Sequence, residues 1–240
     1  MSAKPWGTWF VVLLFIVLVI MVHDSLAAVR GSPYWTRKGD GWIYYAFTPP
    51  KPLIAITFDD GPNRIYTPMI LHVLEKYHAH ATFFVVGKQV KSHPEVLKQI
   101  VAAGNEVGNH TYLHQQKSMP TESDLTDCTA MIQSIIGKKP VWVRPPGGHL
   151  STVFLQQAKQ NHLRIAMWTW DVDAKDWSLP GVTSIVSTVM HHIDPGDILL
   201  FHDGGGKRTQ TVQALDILLE RLQQRGYQFV TMSDLLLCCP

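Results

Sequence analysis

His110-Thr111-Tyr112-Leu113-His114 sets two imidazoles four residues apart. On a helical turn that spacing puts both rings on one side, within reach of a single ion. The chain has 12 histidines, so one such spacing arises easily by chance and needs support from other groups. Asp59-Asp60-Gly61-Pro62 supplies adjacent carboxylates at a tight turn. Adjacent residues leaving a strand point different ways, so one carboxylate can bind a cation while the other stays free. A cation would also relieve the repulsion between them, although Asp, Gly and Pro equally spell an ordinary turn. Arg144-Pro145-Pro146-Gly147-Gly148 reads as a rigid loop whose arginine can hold a carboxylate through a two-pronged hydrogen bond. Its exposed amides can donate to a developing oxyanion. Carboxylates recur at Asp171, Asp173 and Asp176, and His202-Asp203 follows a further apolar run.

The elements that must carry these groups alternate along the chain. Apolar or β-branched runs predict strands at Leu53 to Phe58, Ala81 to Val86, Glu106 to Asn109, Val141 to Val143, Arg164 to Trp170, Asp197 to Phe201 and Tyr227 to Thr231. Helical spacing falls between them, over Thr67 to Tyr77, Asp124 to Ile136, Thr152 to Gln160, Thr183 to His192 and Thr209 to Arg225. Ser92-His93-Pro94-Glu95 resembles a capping box for one more helix ending at Gly104. Repeated β-then-α order argues for an α/β fold with a parallel sheet covered by helices. In such folds the active site lies where strands end and loops begin. Asp59 and Asp60, His110 and His114, Arg144, the Asp171–Asp176 cluster and His202 each follow one of these strands, so all of them face one side.

Composition narrows the class. Lys plus Arg is 21 against 19 Asp plus Glu, with no block of like charge, so nothing resembles a nucleic-acid footprint. Three cysteines cannot make a disulfide framework. Cys128 shares helical spacing with Leu125, Ile132 and Ile135 and reads as a buried apolar thiol. Trp9 to Val22 is an unbroken apolar run, preceded by Lys4 and followed by Ser25-Leu26-Ala27. That is the pattern of a secretory signal, or of an uncleaved membrane anchor. The expected organisation is therefore residues 1–27 signal or anchor, 28–52 linker and 53–240 catalytic domain, with the domain outside the cytoplasm and membrane contact through the N-terminal segment. Asn109-His110-Thr111 matches a glycosylation acceptor, but it lies within the proposed site.

Taken together, the motifs resemble the polysaccharide deacetylases, also called the NodB-homology or carbohydrate esterase four family. Thr57-Phe58-Asp59-Asp60-Gly61-Pro62, His110-Thr111-Tyr112-Leu113-His114, Arg144-Pro145-Pro146, Asp173-Ala174-Lys175-Asp176-Trp177 and Leu200-Phe201-His202 match the family motifs in order. The resemblance spans Leu53 to about Leu236. It implies a distorted (β/α) barrel with about seven parallel strands. It also implies a divalent metal on Asp60, His110 and His114, with zinc the first choice and cobalt, nickel, manganese or iron also suited to the donor set. By the same resemblance Asp59 is the general base, oriented by Arg144, and His202 the general acid, oriented by Asp176. Trp177 and Leu200 would line the substrate groove. The family usually has Tyr where this chain has Gly147, so the backbone N–H at the oxyanion site is kept and the side-chain wall is lost.

The reaction implied is removal of acetyl groups from an N-acetylglucosamine-containing polysaccharide, with peptidoglycan first for an exported enzyme. Chitooligosaccharide deacetylation and acetylxylan ester cleavage are the enzyme alternatives. A degenerate wall-binding module would lack at least one of the metal, base, acid or orienting residues. A structural membrane protein would leave the strand-end clustering unexplained. Trp142, Trp168, Trp170 and Trp177 have faces suited to sugar rings, although the first three fall in expected strands and read as core. Cell fractionation with N-terminal sequencing checks the export reading. The expected product begins just after Ala27, or stays whole in the membrane fraction. A soluble cytoplasmic protein with Met1 intact contradicts both.

Overall fold

The computed structural model describes residues 41–115 and 121–239. Residues 1–27, read as signal or anchor, lie outside them. Among the described residues no helix is long and apolar enough to cross a membrane. The chain runs β1 (Ile43–Tyr44), β2 (Leu53–Asp59), α1 (Tyr66–Lys76), β3 (Thr82–Val85), α2 (Gly87–Ser92), α3 (Pro94–Ala102), β4 (Glu106–Asn109), α4 (Glu122–Ile136) and β5 (Trp142–Val143). It continues through α5 (Thr152–Gln160), β6 (Arg164–Ala166), α6 (Val182–His192), β7 (Ile198–His202), α7 (Thr209–Gln224), β8 (Gln228–Val230) and α8 (Met232–Leu237).

The strands form one sheet in the order β1-β6-β5-β4-β3-β2-β7, with β8 paired to β2. Every ladder is parallel. β8 pairs with Leu53–Ala55 of β2, and β3 pairs with Thr57–Asp59. Among the described residues no ladder joins the two ends of this path. Single contacts do so instead: an antiparallel bridge between Ala46 and Asp197, the Phe47 N–H on the Gly196 carbonyl at 2.8 Å, and the Thr169 N–H on the Ile198 carbonyl at 3.0 Å. The architecture is the expected distorted (β/α) barrel.

Side-chain alternation divides the core and places the chemistry. Ile54, Ile56 and Phe58 of β2, with Leu199 and Phe201 of β7, pack in the cluster that also holds Leu74, Leu97 and Leu215 from the helices. Leu53, Ala55, Ile198 and Leu200 belong to the other cluster, with Phe84, Trp142 and Ile165. Thr57, Asp59 and His202 continue that second parity, because successive side chains point to opposite faces. The β2–β7 register pairs Asp59 with His202.

Helix boundaries follow local signals where the signals are sound. Thr121 caps α4 by accepting the Asp124 N–H, and the Asp124 carboxylate returns the bond to the Thr121 N–H. Gly137 closes that helix with a left-handed φ of 73°. The capping box expected at Ser92 does not form. Ser92 ends α2, bonding its Oγ to the Lys88 carbonyl at 3.1 Å, and α3 starts on Pro94 without a side-chain cap. Arg164 to Trp170 is shorter as a strand than expected, since Trp170–Val172 turns into a 3₁₀ helix. Cys128 is buried as expected, and burial pushes its thiol up to about 12.

The stretch read as linker is partly folded. β1 pairs with β6, the Trp42 carbonyl accepts from Ile165 N–H at 2.6 Å, and Phe47 is buried and stacked on Tyr44. Its two-residue strand is too short to show a period in sequence. Phe47→Ala is expected to lower stability by about 3–5 kcal/mol, the usual cost of deleting a buried Phe side chain. Urea unfolding of the variant measures this; a change near zero would return the segment to a linker.

Candidate active site

The site is built around Arg144, which follows β5 and is completely buried. Its Nη1 donates to Asp59 Oδ1 at 2.9 Å and to Thr57 Oγ1 at 2.7 Å. Its Nε and Nη2 donate to the carbonyls of Ala166 and Met167, each at 2.9 Å. The guanidinium also lies over the Phe84 ring, 4.1 Å from its centroid. The expected two-pronged grip is absent, since one nitrogen reaches one carboxylate oxygen and the other donors go to backbone and Thr57. The carbonyl of the same Arg144 accepts from His110 Nδ1 at 2.8 Å. One residue therefore orients both a carboxylate and an imidazole.

Asp60, His110 and His114 come together as a set able to hold a metal ion, their ligand atoms all within 4.8 Å of one another. Asp60 Oδ1 lies 3.0 Å from His114 Nε2 and 3.6 Å from His110 Nε2. It is buried and accepts no hydrogen bond. His110 is buried, and burial lowers its pKa against the pull of Asp59 and Asp60, which favours the neutral ring. Because Nδ1 donates to a carbonyl, Nε2 carries a lone pair aimed at carboxylate oxygens. Such a cluster of acceptors around an orphaned oxygen suits a divalent cation. Burial would raise the Asp60 carboxyl, yet His114 and His110 outweigh it and hold it well below the usual carboxylate range.

The two histidines do not meet on a helical turn. Thr111 and His114 take left-handed φ values of 64° and 55°, and the loop folds back so that the rings lie 4.8 Å apart. The Thr111 N–H bonds Asn109 Oδ1 at 2.7 Å, and Asn109 Nδ2 donates to the Leu125 carbonyl at 2.9 Å. Asn109 is thus buried and engaged, which closes the glycosylation reading.

His202 forms the third group. Its Nδ1 is 2.7 Å from Asp176 Oδ1, and its backbone N–H donates to Asp176 Oδ2 at 3.0 Å. Thr211 Oγ1 adds a bond to the same Oδ2 at 2.6 Å. Burial depresses the imidazole's pKa, but Asp176 outweighs that and raises it. With Nδ1 on the carboxylate, Nε2 is the ring atom left to exchange a proton.

Other expected residues fall less uniformly. Trp177, in the same 3₁₀ turn as Asp176, is 55% exposed. Leu200 packs in the core cluster with Trp168 and is 5% exposed. Trp142 and Trp168 are core, as expected, while Trp170, which begins a 3₁₀ turn instead of continuing a strand, is 42% exposed. Asp171 is exposed, and Asp173 caps the loop by accepting the Lys175 N–H at 3.0 Å. Gly147 is exposed with φ 60°, a left-handed conformation that a tyrosine would adopt only with strain.

The polysaccharide deacetylase family model matches residues 47–166. A peptidoglycan-N-acetylglucosamine deacetylase from Bacillus cereus is 41% identical over 200 residues, covering 82% of this chain and 93% of that protein. The chain belongs to the polysaccharide deacetylase family. A chitooligosaccharide deacetylase from Bradyrhizobium sp. is 38% identical over 199 residues, 76% of this chain and 90% of that one. A solved peptidoglycan N-acetylglucosamine deacetylase superposes with a TM-score of 0.77 at 30% identity, covering 82% of this chain and 93% of the other.

The deacetylase also uses residues that motif reading passed over. Thr57, Thr211 and the Ala166 and Met167 carbonyls bind the orienting groups, and their partners lie up to 87 positions away. Only Thr57 had a sequence signal, as the first residue of the Thr57–Pro62 motif, though without a role assigned to it. Asp203 is fully buried, and burial pushes its carboxyl up to about 7.

Asp176→Asn is expected to lower the His202 pKa, because it removes the charge that outweighs burial and favours the imidazolium. NMR titration of the ring measures it. The raised value means the His202–Asp176 pair stabilises the fold fully below the imidazole's unfolded pKa. That stabilisation is lost as pH rises through the folded value. An unchanged His202 titration in Asp176→Asn would separate the two residues electrostatically.

Proposed function

We propose that this deacetylase is an exported, metal-dependent enzyme that hydrolyses N-acetyl groups on N-acetylglucosamine units of peptidoglycan. The observation that carries the reading is the convergence on one face of an Arg144-held carboxylate, an Asp-His-His set and an Asp176-held imidazole. A divalent metal on Asp60, His110 and His114 would supply Lewis-acid polarisation of the acetamide carbonyl and acidify water. Zinc is the first choice of metal.

The chain's own residues supply the proton transfers. Asp59 keeps Oδ1 on Arg144 and has Oδ2 turned toward His110 Nε2, at 3.5 Å, leaving it as the acceptor of the attacking water's proton. Arg144 Nη1 holds the Asp59 carboxylate in place for this role. His202 then donates from Nε2 to the departing amine, which makes amine loss favourable over return of the amide. Asp176 fixes the tautomer and favours the protonated ring. The Gly147 N–H is the oxyanion donor in this reading, and Trp177 offers an exposed ring face to a sugar.

Peptidoglycan is favoured by the Bacillus cereus relative's name and coverage. Gly147 adds no side chain beside the proposed oxyanion donor, which in this reading leaves room for a glycan carrying peptide stems. Chitooligosaccharide is the second reading, supported by the Bradyrhizobium relative. The Trp9 to Val22 run supports an extracytoplasmic location.

Acetate release from peptidoglycan, chitooligosaccharides and acetylxylan, measured side by side, tests the substrate. Peptidoglycan is expected to give the fastest release, and a clear preference for either other polymer overturns that choice. Chelation is expected to abolish turnover and zinc or cobalt to restore it. Asp59→Asn and His202→Ala are expected to bind zinc normally yet lose ~10²- to 10⁴-fold in turnover, the usual span for a general acid or base. Near-normal turnover in either zinc-loaded variant removes that residue's role.

A further inference from the structure

Asp60 occupies a left-handed conformation, with φ 74°, an uncommon region for a residue with a Cβ, though Asp enters it more readily than most. The turn is gripped from two sides. On one, Val86 N–H donates to the Gly61 carbonyl at 2.8 Å. On the other, the N–H groups of Asp203 and Gly204 reach the Asp59 carbonyl at 3.1 and 3.4 Å. Gly204 lies so close to the Asp60 carbonyl that a Cβ there would sit 2.1 Å from its oxygen.

Asp203 itself fits against the next residue of the turn. A Cβ on Gly61 would lie 2.1 Å from Asp203 Oδ2, so only glycine lets the turn rest on this carboxyl group. Asp203 is fully buried. Its Oδ2 accepts a hydrogen bond from Thr67 Oγ1, and Thr67 Oγ1 accepts the Asn63 N–H at 2.7 Å. Asp203 Oδ1 has no hydrogen-bond partner. A polar group buried with one oxygen unpaired carries a desolvation cost, and the acid–base roles assigned to Asp59 and His202 make no use of it.

We propose that Asp203, acting with Thr67, is a positioning residue for Asp60. The pair ties the end of β7 and the first turn of α1 to the Asp59–Gly61 turn. Asp60 is thereby turned to His110 and His114 while Asp59 stays on Arg144. The inference rests on the reading that Asp60, His110 and His114 hold a divalent metal. Outer-shell groups that orient a ligand typically change metal affinity ~10- to 100-fold when removed.

The test is zinc affinity of the full-length chain in detergent, by competition with a chromophoric chelator, with thermal melting of the metal-free protein alongside. Asp203→Ala is expected to weaken zinc binding at least ~10-fold. Asp203→Asn keeps the shape and an acceptor for Thr67, and is expected to stay within about 3-fold of wild type. Wild-type affinity in a folded Asp203→Ala overturns the proposal, as does an equal loss in Asp203→Asn. If Asp203→Ala does not fold, Thr67→Val decides. Weaker zinc binding with an unchanged metal-free melting temperature supports the proposal, and unchanged affinity overturns it. A wild-type chain that binds no zinc overturns the metal reading, and this inference with it.

Discussion

A guanidinium with no exposed surface must find acceptors for its donors inside the protein, because an unpaired buried charge is too costly to keep. Arg144 meets that demand with the Thr57 hydroxyl, one oxygen of Asp59 and the carbonyls that end β6. Those acceptors belong to β2 and to the β6 exit, so the arginine joins distant parts of the sheet at the active face. Its own carbonyl orients His110. Removing one partner from such a buried pair typically costs about 3–5 kcal/mol. The guanidinium that holds Asp59 is therefore also a structural element, and a simple Arg144 truncation removes both contacts at once.

The pairings around this centre assign opposite states to chemically similar groups. Asp59 is held by a permanent cation. Asp60 faces the imidazoles of His110 and His114, in a set of donor atoms suited to a metal. Asp203, sealed from water, is pushed up to about 7. The histidines diverge likewise: burial favours the neutral ring at His110, while Asp176 favours the charged ring at His202. His114 follows His202 in direction, since its hydrogen bond to Asp60 outweighs burial and raises it, so among the three rings only His110 is pushed toward the neutral form.

The Asp60, His110 and His114 cluster depends on uncommon backbone conformations. Asp60, Thr111 and His114 all take left-handed φ values, and none is glycine. They occur within the turns that bring Asp60, His110 and His114 together. Rigid strands on one side and glycines at Gly61 and Gly204 on the other leave these turns little room to relax.

The sequence by itself determined the alternation of strands and helices, the delivery of polar groups to strand ends, and the identity of Asp59, Asp60, His110, His114, Arg144, Asp176 and His202 as the residues to watch. Those features are local: hydrophobic period, turn chemistry and motif spacing. Tertiary structure decided what the period could not carry. It recruited Ile43–Tyr44 and Phe47 into the fold, since a two-residue strand gains its stability from the neighbour it pairs with. It ended β6 early and left Trp170 exposed. It brought the two histidines together through a left-handed loop instead of a helical turn. It spread the Arg144 donors over one carboxylate oxygen, a hydroxyl and two carbonyls, and it buried Asp203 against Gly61. Each of those outcomes depends on a partner far away in sequence, which is why only the folded chain displays it.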